Sequence, residues 1–191
     1  MLIEILDQID EVNKKDPHLE EWEGKKYPKE LLYGQRMSLM LNLYLPSASE
    51  ELQIAARGQH IRRWHIPRSD FDMNRKGYLK WRTMLKIHHG DELKNIMEKN
   101  GYREQSVNKV VQLINKSKLK TDQDSKILED VVCLVFLKYH FADFSQKHDE
   151  EKLMSIVRKT WAKMTPKGHE MALQLPFGEE ELSIIQKALN A

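Results

Sequence analysis

"SKILEDVVCLVFLKYHFADF", residues 125–144, decides the fold class of this chain. Its apolar run, Val131 to Leu137, is short enough for a buried strand. The flanks argue otherwise. Ile127, Leu128, Val131, Leu134, Val135, Leu137 and Phe141 keep a three-and-four spacing through the run and beyond it on both sides, which is the period of a helix. The run is apolar nearly all round, so the expected helix is central and buried.

The same period recurs in both directions from this helix. "MLIEILDQIDEVN" places Leu2, Ile5, Leu6, Ile9 and Val12 on one face. Residues 14–27 are polar, contain Pro17 and Gly24, and read as a long loop. A helix is expected from Pro28 to just before Pro46. Another is expected from a capping box at Ser47 and Glu50 to about Trp64. "HIPRSDFDMNRKG" reads as a loop, because Ile66 precedes Pro67. Further helices are expected over about 76–99, over "REQSVNKVVQLINK", and from a second capping box at Thr121 and Asp124 into the central helix. "DEEKLMSIVRKTWAKM", "TPKGHEMALQL" and "GEEELSIIQKALN" complete the chain. The expectation is an all-α fold of seven to nine helices, with residues 1–191 as a single helical domain.

Composition narrows the class. The chain has 191 residues, 40% hydrophobic and 31% charged, ordinary for a soluble domain with one core. No apolar run approaches the roughly 18 residues of a membrane span, so no membrane partner is expected. The N-terminus carries acids within its apolar pattern and does not read as a signal peptide. The lone cysteine, Cys133, excludes an internal disulfide and any cysteine-based zinc site, and it suits a cytoplasmic location. Net charge is only +2, but it is unevenly spread. Residues 1–56 balance at −5, residues 57–86 at +7 and the remainder at zero. The basic segment suggests an anionic partner; pairing with the acidic N-terminal part is the equally weighted alternative.

Three apolar stripes each contain one side chain able to bind metal. His60 continues the row Leu52 and Ala56. His89 interrupts Trp81, Leu85, Leu93 and Met97. Asp130 sits among Ile127, Leu134, Leu137 and Phe141, with Glu129 beside it. A buried carboxylate has to be paired, hydrogen-bonded or metal-bound. Two imidazoles and a carboxylate suit a divalent transition metal, whose identity is open. Taken singly, each histidine is more often a hydrogen-bonded core residue. For Asp130, an ion pair with a buried arginine such as Arg63, or a cap to a neighbouring helix, weighs the same as a ligand role. Around the 62–75 loop stand Arg62, Arg63, Arg68 and Arg75, with Trp64 and Trp81 at its ends. Arginine forks bind phosphate, and indole faces stack on a base or on arginine.

"AARGQHIRRWHIPRSDF", "RKGYLKWRTMLKIHH", "KSKLKTDQDSKILEDVVCLVFLKYHFADF" and "EEKLMSIVRKTWAKMTPKGHEMAL" resemble the bacterial and fungal family called domain of unknown function 4202, over nearly the whole chain. That resemblance implies no activity. A weaker one connects the helix of "AARGQHIRRW", the helix pair of "IHHGDELKNIMEKNGYREQSVNKVVQLI" and the helix of "DSKILEDVVCLV" with HD-type metal phosphohydrolases, and would match His60, His89 and Asp130 to metal ligands. It implies an HD-like all-α protein that binds, and in its enzymatic form hydrolyses, a phosphorylated small molecule or nucleotide. His60, His89 and Asp130 would hold the metal or polarise water, Glu129 would act as base, and the four arginines would hold phosphate. Two other readings stand beside it. One is a nucleic-acid-binding module using residues 57–86, with Trp64, Phe71, Tyr78 or Trp81 stacking on bases. The other is a helical interaction or scaffold domain without catalysis.

Overall fold

The computed structural model describes residues 1–119 and 121–190. Among them are ten α-helices, two single 3-10 turns and one two-stranded sheet. The chain divides into two compact units, Met1–Thr121 and Asp122 onward.

The first unit opens with α1 (Leu2–Asn13), whose Ile5 and Ile9 are fully buried. Next comes a hairpin, β1 (Leu19–Trp22) and β2 (Lys25–Pro28), antiparallel with Glu20 opposite Tyr27 and Trp22 opposite Lys25. The loop expected over residues 14–27 is thus largely this hairpin. Its two-residue turn, Glu23 and Gly24, has both residues at positive φ, the geometry that matches strand twist. The strands are short and mostly exposed, so they carry no apolar alternation by which to announce themselves. Long-range contacts hold them instead: the Arg36 guanidinium lies 5.6 Å from the Trp22 ring and pairs with Glu20.

α2 (Lys29–Tyr44) follows directly, with Pro28 as its N-cap. α3 covers Glu50–Arg57. Its cap is Ser49, whose hydroxyl accepts from the Leu52 N–H, and not Ser47. The helix ends at Arg57, seven residues short of Trp64, with Gly58 as its C-cap. A side chain at Gly58 would meet the Leu93 methyls at 2.4 Å, so the chain can turn there only by pressing bare backbone against the next helix. Single 3-10 turns at Arg63–His65 and Arg68–Asp70 carry the chain to α4 (Arg75–Lys99). α5 (Glu104–Asn115) packs along α4 and against α3, and buries Val107, Val110, Leu113 and Ile114.

The second unit is built on α6 (Gln123–Tyr139), with Val131, Leu134 and Val135 fully buried. "VVCLVFL" is helical throughout. The cap is Asp122, which accepts from the Ser125 N–H and hydroxyl, in place of the Thr121 expected from spacing. Around α6 and beyond it come α7 (Phe141–Ser145), α8 (Glu150–Trp161), α9 (Pro166–Leu173) and α10 (Glu179–Asn190). α9 starts as its sequence suggests, with Thr165 capping and Pro166 in the first turn. Among the described residues no helix is long and apolar enough to cross a membrane.

Candidate functional site

The site forms where α3 ends. Past Gly58 the buried Ile61 points inward, and Arg62 takes a left-handed conformation at φ 50°. Its N–H donates to Asn13 Oδ1 at 3.1 Å, and Asn13 Nδ2 reaches the Glu30 carbonyl. Asp16 Oδ2 accepts from the Glu30 N–H at 3.0 Å. The end of α1, the start of α2 and the turn after α3 are therefore tied together by buried polar side chains. Each satisfies backbone groups that the local structure leaves open.

That frame sets the Glu30 carboxylate, itself buried, beside an imidazole and a guanidinium. His60 Nδ1 lies 3.0 Å from Oε2, and Arg63 Nε lies 3.7 Å from Oε1. Arg63 Nη1 stands 3.3 Å from His60 Nε2. A guanidinium can only donate, so Nε2 accepts and the imidazole proton sits on Nδ1, facing Glu30. Tyr33 stacks on the His60 ring at 4.0 Å between centroids, nearly parallel. Arg63 lies over Trp81 at 4.8 Å, and Trp81 donates its indole N–H to the Ile66 carbonyl. Burial lowers the Arg63 pKa below its ordinary value; the Glu30 charge opposes that shift.

His89 is close by, its ring 6.0 Å from that of His60. Its Nδ1 donates to the Ile61 carbonyl at 2.7 Å, which leaves Nε2 as an acceptor. That nitrogen is buried and has no hydrogen-bond partner among the described residues. Desolvation, with the neighbouring His60 next in weight, pushes the pKa of His89 down to about 2, so the ring is neutral. His88 Nε2 faces the Arg62 carbonyl at 3.2 Å, and its ring approaches that of the exposed His65.

The expected arginine rim is only partly available. Arg62 pairs with Glu92 at 3.4 Å. Arg68 donates to the carbonyls of Phe71 and Asp72 and so closes the loop before α4. Arg75 is exposed in the first turn of α4. Trp64 is half-buried and packs edge-on to His65.

In the second unit Asp130 is fully buried. One oxygen accepts the Thr165 N–H at 2.8 Å, and the other accepts the Thr165 hydroxyl. Gly168 lies against the same carboxylate. Asp130 thus secures the start of α9 on α6. Glu129 faces Lys163 Nζ at 3.8 Å. Both nitrogens of His60 are engaged, by Glu30 and Arg63, which does not fit a ligand donating its lone pair to a metal. Among the described residues no three His, Cys, Asp or Glu side chains gather as a group that could hold a metal ion. The sequence has one His-Asp pair, His148–Asp149, and it lies on none of the helices matched to the HD type. There Asp149 caps α8 by accepting the Lys152 N–H, and His148 packs on Phe144.

Sequence reasoning picked out His60, His89 and Arg63. It missed Glu30 and Tyr33, which share the site with His60. Glu30 falls in the first turn of α2, where an acid is expected for the helix dipole alone, so nothing local marks it.

The likeness to HD-type phosphohydrolases rests on sequence pattern alone. No curated protein and no solved structure matches the chain. The family model described as a domain of unknown function, DUF4202, matches residues 4–185, and with that span covered the chain belongs to the DUF4202 family.

Proposed function

We propose that the chain binds a phosphorylated small molecule or nucleotide at Glu30, His60 and Arg63, with His60 placed as the acid–base group for hydrolysing it. The observation that carries this reading is the Glu30–His60–Arg63 cluster. A buried carboxylate fixes the imidazole proton on Nδ1, and Nε2 is turned toward a desolvated guanidinium. A phosphoryl oxygen that takes Arg63 Nη1 arrives beside His60 Nε2. From there Nε2 can accept a proton from an attacking water, and the carboxylate of Glu30 stabilises the imidazolium that forms. Tyr33 and Trp81 hold His60 and Arg63 by their ring faces and limit the geometry available to each.

The test is thermal protection and phosphate release with a panel of nucleotides and sugar phosphates. Wild-type protein is expected to gain stability with at least one compound, by about 2.7 kcal/mol at a hundredfold excess over the dissociation constant. Arg63→Ala should abolish the protection. His60→Asn should keep it and lose phosphate release. No protection across the panel would sink the reading. Elemental analysis of the purified protein tests separately the divalent metal expected on His60, His89 and Asp130. Glu129→Gln tests the base expected there.

A nucleic-acid-binding module remains the second reading, favoured by the +7 balance of residues 57–86. RNA affinity that falls steeply with salt, with no protection by mononucleotides, would support it in place of the first.

A further inference from the structure

α4 begins with three turns that the rest of the chain barely covers. Between Arg75 and Ile87 its buried residues are Gly77 and Leu85. On the outward side Leu79, Thr83 and Ile87 follow one another four residues apart, with Leu79 54% and Ile87 47% exposed. At about 100° per residue they make one narrow apolar stripe. Arg75, Arg82 and Lys86 fall along one side of that stripe, and Lys76 and Lys80 lie within it and along the other. Met73, 81% exposed, extends the apolar surface just before the helix. No Asp or Glu occurs from Met73 to Gly90.

We propose that this face of α4 docks on an anionic lipid bilayer surface. The partner has to satisfy two features together, an apolar stripe and cations on both of its edges. At a bilayer interface, Leu79, Ile87 and Met73 enter the boundary between headgroups and acyl chains. The lysine and arginine stems lie along that boundary, and their charged ends reach the lipid phosphates. Anionic lipid adds an attraction for each cation near the surface. A second copy of this chain does not fit, because five cations would face five. RNA would use the cations and leave the aliphatic side chains unemployed. The expectation of no membrane partner came from the lack of a spanning segment. Lying on a surface requires a different pattern, which α4 has.

The experiment is sedimentation of the full chain with phosphatidylcholine vesicles, with and without phosphatidylserine. The expected result is binding to the serine-containing vesicles, weakened by salt, and none to phosphatidylcholine alone. Lys76→Glu with Lys80→Glu should reduce that binding by about tenfold or more, since each cation near the surface contributes on a kilocalorie scale. Leu79→Ser with Ile87→Ser should also weaken it and leave a salt-sensitive remainder. All four side chains are exposed, so the circular dichroism of both variants should match the wild type. His60→Asn should bind vesicles as the wild type does, which separates this result from the phosphate site. The proposal is overturned by absence of binding to serine-containing vesicles, by equal binding to both vesicle types, or by charge-reversed protein that binds unchanged. Polyuridylate binding in place of vesicle binding would overturn it too.

Discussion

His89 holds a neutral imidazole in the core, with one nitrogen on the Ile61 carbonyl and the other buried without a partner. The consequence for stability has a definite sign. In the unfolded chain His89 takes up a proton near its ordinary value of 6.5, whereas in the fold it resists protonation down to about 2. Between those values the unfolded state binds more protons, so stability is full above 6.5 and falls as the pH drops below it. The slope for this group is about 1.4 kcal/mol per pH unit. Urea unfolding of the wild type from neutral to mildly acid pH should show that slope, and His89→Asn should flatten it. An unchanged slope in the variant would show that another group governs acid stability. A second residue-scale prediction concerns Asp130. It is buried against Thr165 and Gly168, and a Cβ on Gly168 would lie 2.6 Å from its carboxylate. Gly168→Ala should therefore destabilise the protein by about 1–3 kcal/mol, as overpacking does. Asp130→Ala should cost a similar amount through the unpaired Thr165 donors. If Asp130→Ala were stability-neutral, its role in holding α9 would be refuted.

At the scale of the element, α3 separates two readings of one serine-rich stretch. Ser47 has the spacing of a capping box to Glu50, but Ser49 makes the cap. Ser49→Ala should cost about 1 kcal/mol, whereas Ser47→Ala should stay within about 0.5 kcal/mol of wild type. Chemical denaturation of the two variants measures the difference. Equal effects would mean that the cap contributes nothing. The early end of α3 has the larger effect on the site. A helix continuing to Trp64 would have put His60 in its last turns on a packed face. Stopping at Gly58 instead hands residues 59–65 to turns, and those turns carry His60 and Arg63 to Glu30. Periodicity could not reveal the stop, because Gln59, His60 and Ile61 still satisfy the helical pattern. What local spacing also leaves out is the close approach of Leu93 from α4 to Gly58, a contact between residues far apart in the chain.

For the whole molecule, the passage between the two units is the informative place. After α5 the chain leaves the helix through Lys116, at φ 55°, and exposes Ser117 and Lys118 before α6 is capped at Asp122. Exposed backbone outside regular structure is where proteases cut first. Brief trypsin treatment of the folded chain should cleave after Lys118 before it cleaves within any helix. Mass spectrometry should then find two fragments that meet there, and early cleavage inside α4 or α6 would contradict the division.

The sequence alone determined the all-α class and the helical state of "VVCLVFL". Both follow from short-range rules, because a three-and-four spacing needs no knowledge of what lies opposite. It also singled out His60, His89 and Asp130, since polar side chains on apolar stripes are costly unless something satisfies them, and Arg63 as one of four arginines around a single loop. What satisfies them was decided by tertiary structure. Glu30 reaches His60 across 30 positions, and Thr165 reaches Asp130 across 35. The hairpin at Leu19–Pro28 was set at the same level, held to α2 through Arg36 without an alternating pattern of its own. Local sequence fixes what a residue needs, whereas the partner that meets the need is chosen by packing between distant elements, where spacing along the chain carries no signal.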